Sequence, residues 1–356
     1  MKTVIAQITD NTEENDKIYE QAAVILKNGG LVAFPTETVY GLGADALDEA
    51  ASSKIYSAKG RPSDNPLIVH IADLQGLYEL CEEVSDNALK LAKHFWPGPL
   101  TMILKKKSIV PYSITGGLET VAVRMPSHPV AAKLIRSSGV YVAAPSANIS
   151  GKPSPTRAAH VIHDMDGRID MIIADDTIDI GVESTIVDLS EEIPTILRPG
   201  FITKNQLEEI LGQVNVDPAI EGILNDGTVP KAPGMKYKHY APEADMVIVE
   251  GQQENVVALI NELVQEKKNA GCKVGVMASS ETAALYQADV VKAVGSRADE
   301  AAAARNLYAA LRDFDEAEVK YIFTESFPAN DVGQAVMNRL IKAAGHTIMK
   351  ADGRNV

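Results

Sequence analysis

Four cationic side chains could bind an anion, and they are Lys59, Arg61, Arg124 and Arg198. Each lies near a short apolar run and beside a turn with the composition of loops that carry function on a rigid scaffold. Lys and Arg are the side chains best suited to phosphate and carboxylate groups. Because the sequence contains no Walker A motif, these cations predict an anion pocket built without a P-loop.

Small polar side chains lie in the same loops and could complete such a pocket. Hydroxyl and amide groups can donate to a phosphate or to a base without occupying much room. Ser184 lacks the GxSxG elbow of a serine nucleophile, so we interpret it as a substrate contact. The candidates, which include one His, are Thr36, Ser63, His70, Thr120, Ser146, Asn148, Ser154 and Ser184.

Several of these residues also have a structural explanation, which the sequence leaves open. Lys59 and Arg61 flank the end of a predicted helix, where cations interact favourably with the helix dipole. Thr36 follows a proline and could form an ST-turn. His70 could be a satisfied core side chain, and Arg124 could form a structural salt bridge.

Metal and disulfide chemistry find little support in the sequence. His160 and His163 are three residues apart on a predicted helix, but no Cys or clear carboxylate partner accompanies them. Cys81 and Cys272 lie far apart, and the chain contains no CxxC or HExxH motif. We therefore predict no disulfide framework and no metal site in the protein itself.

The elements that must position the loops alternate between strand and helix patterns. Examples are the predicted strands Leu100–Leu104 and Val121–Arg124 and the predicted helix Glu281–Tyr286. In the first part of the chain many short strands and few helices predict an α/β fold around a twisted, mixed sheet. The last part alternates regularly, which predicts a smaller, Rossmann-like, doubly wound domain. It lacks a GxGxxG motif, so no dinucleotide is assigned to it. The predicted boundaries are 1–212 for the first domain, 213–243 for a linker and 244–356 for the second domain.

Length and charge agree with two globular domains. The 356 residues are 46% hydrophobic, which is enough to fill two cores. The formal net charge is −14, mostly before residue 229, which argues against a broad nucleic-acid surface. The first residues do not resemble a signal peptide, and no apolar run approaches the ~18 residues of a membrane span. These features predict a cytoplasmic protein.

Taken in order, the loop segments resemble the YrdC-like family of threonylcarbamoyl-AMP synthases in its long, two-domain (Sua-type) form. The match is specific for the first domain and the linker, and no motif is recognised beyond residue 243. It implies a concave active-site face on the mixed sheet. The segments are PTETVYGLG (35–43), KGRPSDNPLIVH (59–70), VAVRMP (121–126), APSANISGKPSPT (144–156), GVESTIVD (181–188), LRPG (197–200) and PGMKYKHYAP (233–242).

The resemblance implies two neighbouring subsites. Lys59 and Arg61 would act in catalysis by offsetting negative charge on the phosphoryl oxygens. The threonine subsite would contain Thr36, His70, Arg124, Ala144 and Ser184. The nucleotide subsite would contain Lys59, Ser63, Thr120, Ser146, Asn148, Ser154, Arg198 and Tyr237.

The implied reaction converts L-threonine, bicarbonate (or CO2) and ATP into threonylcarbamoyl-AMP and pyrophosphate, with Mg2+ accompanying ATP. The product would pass to the tRNA threonylcarbamoyl-transfer machinery, and the acidic balance argues against direct tRNA binding. Two alternatives stay open. One is an RNA-binding or ribosome-assembly module without catalysis. The other is carbamoyl transfer from carbamoyl phosphate, as in related hydrogenase-maturation proteins, whose zinc-finger and acylphosphatase segments are missing here.

The predicted linker has an unusual composition for a passive spacer. Residues 233–242 carry two lysines, a histidine and two tyrosines and no acidic residue, although the chain is strongly acidic. Flexible linkers are richer in Gly and Ser. We therefore expect a lid over the pocket, with Tyr237 against the nucleotide, and the alternative is a proline-stiffened tether.

Overall fold

The structure is a computed structural model that describes residues 2–220, 232 and 240–352. The described chain divides into two compact units. The first unit contains residues 2–150 and 154–220 together with Ala232. The second unit contains residues 151–153 and 240–352. Among the described helices, none has both the length and the apolar character that crossing a bilayer requires.

The first unit is built on one sheet of mixed direction. Its strand order is β1-β8-β2-β3-β7-β4-β6-β5-β9-β10-β11. Strand β4 is parallel to β6, whereas β5 is antiparallel to β6, so the prediction of a mixed sheet is confirmed. The strands are β1 (Val4–Gln7), β2 (Val32–Phe34), β3 (Gly41–Asp45), β4 (Ile68–His70), β5 (Leu100–Lys105), β6 (Thr120–Arg124), β7 (Val142–Ala143), β8 (Met171–Ala174), β9 (Thr185–Asp188), β10 (Thr195–Arg198) and β11 (Asn215–Val216).

Helices with clear end signals surround this sheet. Asp48 caps the second helix by accepting from the backbone amides of Ala50 and Ala51, and Gly60 ends it in a left-handed conformation with φ 62°. That end places Lys59 in the last helical turn. The helices of the first unit are α1 (Thr12–Lys27), α2 (Glu49–Lys59), α3 (Gln75–Leu80), α4 (Asp86–Phe95), α5 (Tyr112–Thr115), α6 (Pro129–Ser138), α7 (Ala158–Met165) and α8 (Lys204–Leu211).

Strands β4, β5, β6, β9 and β10 carry a different apolar cluster on each of their two faces. One face supplies side chains such as Val69, Met102 and Val123 to the main core. Successive strand residues point to opposite faces, so their neighbours form a second buried cluster. We call this second cluster the floor. It consists of Ile68, Ile103, Ala122, Ile186, Leu197 and Ala232.

Two sequence expectations are modified in the first unit. The segment 35–43 favours a loop in which Gly41 and Gly43 allow the close approach of a small ligand. In the structure both glycines lie in β3, which pairs with β2. A Cβ atom on Gly43 would lie 2.7 Å from Val142 and 2.8 Å from Phe34, so this glycine permits side-chain packing. Strand β11 and a 3-10 turn (Pro218–Ile220) lie inside the range 213–243 that was predicted as linker.

The second unit contains a parallel sheet with the order β14-β13-β15-β12-β16. This confirms the Rossmann-like prediction for the last part of the chain. A helix expected over 281–286 is only a 3-10 turn, Ala283–Leu285. The elements are β12 (Asp245–Glu250), α9 (Gln253–Asn269), β13 (Val274–Ala278), β14 (Val290–Ala293), α10 (Glu300–Glu316), β15 (Tyr321–Glu325), α11 (Asp331–Ala343) and β16 (Ile348–Lys350).

Candidate functional site

Backbone hydrogen bonds bring three of the motif loops together. The amide of Tyr40 donates to the oxygen of Pro155 at 2.9 Å, and the amide of Ala147 donates to the oxygen of Tyr40 at 2.8 Å. The amide of Ile180 donates to the oxygen of Glu37 at 3.0 Å. The loop after β2, the segment 144–156 and the segment before β9 therefore form one continuous structure.

Three polar residues are direct neighbours across the central strands. His70 on β4 is in register with Arg124 on β6, and Arg124 is in register with Thr101 on β5. Each is two residues from a member of the floor, which places all three on the floor's face of the sheet. His70 and Arg124, both predicted site residues, are thus brought together by strand register.

Arg124 forms a buried ion pair with Glu37. Its Nη2 atom lies 2.7 Å from Oε1 of Glu37, and the two side chains are 5% and 6% exposed. Its Nε–H donates to the backbone oxygen of Gly98 at 3.4 Å. Burial raises the pKa of the Glu37 carboxyl and is the largest single effect. The charge and close contact of Arg124, together with the backbone amides of Glu37 and Ser127, outweigh it and hold the pKa below its usual value. Glu37 is therefore ionised at neutral pH.

His70 is an uncharged imidazole at neutral pH. Its Nδ1 lies 3.2 Å from the backbone oxygen of Ile68, and its ring lies edge-on to Phe34. Burial and the charge of Arg124 lower the pKa of His70 to about 3, although Glu37 opposes the shift. A neutral imidazole can donate one hydrogen bond and accept another, so it suits an uncharged polar group of a ligand.

Ser184 and Arg198 extend this cluster along β9 and β10. The hydroxyls of Thr101 and Ser184 lie 2.7 Å apart. Arg198 donates from Nε to the backbone oxygen of Ser184 and from Nη2 to its hydroxyl, both at 3.1 Å. A register shift after Ile196 pairs Arg198 with Ile186 of the floor, so an irregularity in β10 aims this arginine at the site.

The glycine of the LRPG motif, Gly200, is required by close packing against the backbone. A Cβ atom on Gly200 would lie 2.4 Å from the backbone nitrogen of Thr185 and 2.7 Å from the carbonyl carbon of Ser184. Only glycine allows the chain after Arg198 to approach the Ser184 backbone this closely. The close approach keeps the two predicted site residues together.

Lys59 joins helix α2 to the segment 144–156. Its ammonium group donates to the backbone oxygens of Ser146 at 2.5 Å and Asn148 at 2.6 Å, and the side chain is buried. The Ser146 hydroxyl donates to the Asn148 side chain at 2.6 Å. Three predicted nucleotide ligands therefore form one cluster with a positive charge at its centre.

Other predicted residues lie around these clusters. Arg61 is half-buried and donates from Nη2 to the backbone oxygen of Pro66 at 3.3 Å, whereas Ser63 is exposed. The Ser154 hydroxyl donates to Glu183 at 2.5 Å. Thr36 accepts from the backbone amides of Thr38 and Val39 and donates to the oxygen of Val39, which is the ST-turn alternative.

The remaining predicted site residues are Ala144, Thr120 and Tyr237. The amide of Ala144 donates to the oxygen of Ile68 at 2.9 Å, next to the His70 strand. Thr120 opens β6 and, by strand alternation, shares the face of Ala122 and Arg124 at the far end of the floor. Tyr237 lies outside the described residues, as does most of the predicted linker, although Ala232 packs in the floor.

Sequence reasoning missed three side chains that contact the predicted ones. Glu37 pairs with Arg124, Thr101 with Ser184, and Glu183 with Ser154. A polar residue inside the apolar run of β5 was the available signal for Thr101. The two glutamates stand inside recognised motifs, where only their neighbours were selected.

Metal ligands are not grouped in the described part of the chain. No set of three or more His, Cys, Asp or Glu side chains lies close enough together there to hold a metal ion. His163, one of the two helical histidines considered, lies 3.0 Å from Asp164.

Comparison with protein families gives two matches along the chain. The Sua5/YciO/YrdC family model, described as "Telomere recombination", matches residues 24–200. A model described as the C-terminal domain of threonylcarbamoyl-AMP synthase matches residues 202–345.

Two relatives that match over nearly their full length are both named threonylcarbamoyl-AMP synthase. The threonylcarbamoyl-AMP synthase of Bacillus subtilis (strain 168) is 51% identical over 98% of this chain and 99% of its own length. That of Pyrococcus abyssi is 50% identical over 98% of this chain and 99% of its own length. The crystal structure of P. abyssi Sua5 complexed with L-threonine superposes with a TM-score of 0.91 at 48% identity, covering 98% of this chain and 99% of that one.

Proposed function

The chain belongs to the Sua5/YciO/YrdC family of threonylcarbamoyl-AMP synthases in its two-domain form, and from this premise we propose the full reaction that it catalyses. The substrates are L-threonine, bicarbonate (or CO2) and ATP, and the products are threonylcarbamoyl-AMP and pyrophosphate. In this proposal the enzyme is a nucleotidyltransferase, since it transfers an adenylyl group to a carbamate.

The single observation that carries the proposal is the strand register of His70, Arg124 and Thr101 beside the apolar floor. A polar, partly charged end suits an amino acid, and an adjoining apolar surface suits a nucleoside. The solved relative complexed with L-threonine supports the amino-acid assignment.

The amino-acid subsite uses groups of different charge for different parts of threonine. Arg124 receives the carboxylate, since a guanidinium offers parallel donors to two carboxylate oxygens. Neutral His70, with Thr36 and Ser184, lies around the amine and the hydroxyl, and Ala144 contributes its backbone. A pocket that distinguishes threonine from serine by one methyl gains only about 1 to 3 kcal/mol, so serine is accepted at a reduced rate.

The nucleotide subsite is proposed to lie over the floor, between Thr120 and the Lys59 cluster. Lys59, Arg61 and Arg198 offset the charge of the phosphate groups, while Ser63, Ser146, Asn148 and Ser154 supply neutral donors. Mg2+ is proposed only as the partner of ATP, bound through phosphate oxygens and water. The described residues provide no carboxylate cluster for it.

Positioning and charge stabilisation suffice for the chemistry. The neutral amine of threonine attacks CO2, loses a proton and becomes a carbamate. A carbamate oxygen then attacks the α-phosphorus of ATP as the bond to pyrophosphate breaks. The cations offset the negative charge that develops on the phosphoryl oxygens, and no covalent enzyme intermediate is required.

The product is a reactive mixed anhydride, and a second protein must consume it. We propose that the tRNA threonylcarbamoyl-transfer machinery does so in the cytoplasm, without direct tRNA binding by this acidic chain.

One assay separates this proposal from its alternatives. Purified protein should release pyrophosphate from ATP only when threonine and bicarbonate are both present, and the nucleotide product should contain both. Pyrophosphate release without threonine, or turnover that requires carbamoyl phosphate, would reject the proposed reaction. The absence of any turnover would favour a binding module.

A further inference from the structure

We infer that Glu37 is a positioning residue for substrate binding, which holds the Arg124 guanidinium in the orientation that receives the substrate carboxylate. The inference rests on the proposed amino-acid subsite. It concerns a residue that would not touch the substrate itself.

The backbone fixes Glu37 in place. Its carbonyl oxygen accepts from the amide of Ile180 at 3.0 Å, and the oxygen of Thr38 accepts from the amide of Gly181 at 3.1 Å. These bonds attach the loop after β2 to the segment that leads to Ser184. The Glu37 carboxylate therefore approaches Arg124 from a rigid support.

Two contacts restrict the guanidinium of Arg124. Glu37 lies 2.7 Å from Nη2, and the backbone oxygen of Gly98 accepts from Nε. A guanidinium that binds a carboxylate at two points must present two parallel N–H groups in one plane. Contacts at Nη2 and Nε fix that plane and leave Nη1 and the second Nη2 hydrogen for the ligand.

The incomplete hydrogen bonding of the Glu37–Arg124 pair suggests room for a ligand. Neither Nη2 of Arg124 nor the carboxylate oxygens of Glu37 have a partner at hydrogen-bond angles among the described residues, so their contact is chiefly electrostatic. The backbone amides of Glu37 and Ser127 lie near enough to the Glu37 carboxyl to lower its pKa, although their angles are not those of a hydrogen bond. Glu37 occupies one side of the guanidinium, and a substrate carboxylate would supply the acceptor for its Nη1 side.

Charge, and not burial, assigns the two residues different roles. The Glu37 oxygens and Nη2 of Arg124 are all inaccessible to solvent. A substrate carboxylate is attracted by the guanidinium and repelled by the Glu37 carboxylate, so it would bind on the Arg124 side of the pair. Glu37 acts through Arg124. Because Glu37 remains ionised at neutral pH, this support is present throughout the ordinary working range.

The test compares Glu37→Gln, which keeps the shape of the side chain and removes its charge, with the full-length parent protein. We expect the KM for threonine to rise about fivefold, with kcat and the KM for ATP within about twofold of the parent. Glu37→Asp keeps the charge at shorter reach and should raise the threonine KM less, about threefold. It also serves as the readout if Glu37→Gln does not fold.

A matched control is available in the second unit. Glu325 is another buried glutamate that faces an arginine, Arg297, at 3.0 Å. Glu325→Gln should reduce stability in the same way as Glu37→Gln and leave the KM for threonine unchanged. A threonine KM within twofold of the parent in both Glu37 variants would overturn the inference, as would equal rises for threonine and ATP.

Direct binding separates failure of this inference from failure of the proposed reaction. Titration calorimetry with L-threonine alone requires no turnover. Weaker threonine binding in Glu37→Gln supports the inference even if the parent releases no pyrophosphate. An active parent with unchanged threonine binding in Glu37→Gln rejects the inference alone.

Discussion

Each of the two units buries a glutamate that faces an arginine, but the two pairs differ in how their hydrogen bonds are satisfied. In the second unit, Glu325 accepts from the hydroxyls of Thr282 and Tyr286 and from Arg297. In the first unit, Nη2 of Arg124 and the Glu37 carboxylate make a close contact, but at angles outside those of a hydrogen bond. A satisfied buried network rigidifies a core, whereas an unsatisfied one is costly unless a ligand completes it.

The side chains around the two arginines also differ. Arg124 has a neutral histidine and a threonine beside it on neighbouring strands, next to an apolar surface. Arg297 donates its Nη2 to the backbone oxygen of Ser326 at 2.9 Å, just as Arg124 donates its Nε to the backbone oxygen of Gly98. The two arginines therefore differ in the side chains beside them and not in having an internal second contact. From this difference we expect the pair in the first unit to serve a ligand and the pair in the second unit to serve stability.

The largest expected effect comes from shortening the chain. Truncation after Glu243 removes the second unit's sheet and should retain most synthase activity. Truncation after Asp226 also removes Ala232, which packs in the floor, and should lose most activity or release free AMP. Pyrophosphate and AMP measured for both truncated proteins check this. Full activity without extra AMP in the shorter protein would show that residues 227–243 are only a tether.

Next in size is the loss of the cation that joins α2 to the segment 144–156. Lys59→Ala removes the charge that contacts Ser146 and Asn148 and should lower turnover about 100-fold. This corresponds to about 2.7 kcal/mol, which is within the range of about 1.5 to 3 kcal/mol for one charge-assisted contact. Lys54→Ala is a matched control, because Lys54 lies on the same helix and donates to the backbone oxygen of Gly29. Equal activity in the two variants would remove Lys59 from the site.

Arg124→Lys tests which ligand group meets this side chain. A lysine keeps the charge but cannot grip a carboxylate at two points, so the threonine KM should rise about tenfold while the ATP KM changes little. Arg136→Lys, on the exposed side of α6, should change neither constant. An equal loss of ATP affinity in Arg124→Lys would instead place Arg124 at the nucleotide.

Sequence patterns predicted strands well where apolar residues were continuous. The runs Leu100–Leu104 and Val121–Arg124 were predicted as strands, and β5 and β6 cover them. Strand β3 was missed because its sequence GLGAD has poor strand propensity. It pairs with β2 and β7, and Phe34 and Val142 pack where a side chain at Gly43 would be. The expected helix near Thr282 is a short 3-10 turn, and the Thr282 side chain there donates to Glu325 instead.

Sequence motifs identified most residues of the candidate site but not how those residues are arranged in space. Resemblance selected His70, Arg124 and Ser184, but their arrangement on neighbouring strands depends on register between strands that are distant in sequence. Thr101 entered the cluster through such a register. The orientation of Arg198 depends on an irregularity in β10, and no residue pattern in that strand predicts it.

His70 allows the buried site to be tested through pH. Its pKa is about 3 in the folded protein and near 6.5 when unfolded, so between these values the unfolded state binds more protons. The free energy of unfolding should therefore fall by about 2 kcal/mol from this group between pH 7 and pH 5. His70→Asn should lack this part of the pH dependence, and exposed His94→Asn should retain it. Denaturant unfolding curves at several pH values check the difference, and parallel pH profiles for His70→Asn and the parent would contradict it.

The smallest expected effect probes the satisfied pair of the second unit. Tyr286→Phe removes one donor to Glu325, at 2.7 Å, while Thr282 and Arg297 still donate to that carboxylate. Because the carboxylate keeps two partners, the free energy of unfolding should fall by only about 1 to 1.5 kcal/mol. Tyr141→Phe removes a similar bond to exposed Glu79 and should cost less, since water replaces the lost donor. Neither variant should alter the threonine KM. A clear rise in that constant for Tyr286→Phe would mean that the buried network around Glu325 also serves the reaction, and the contrast between the two pairs would fail.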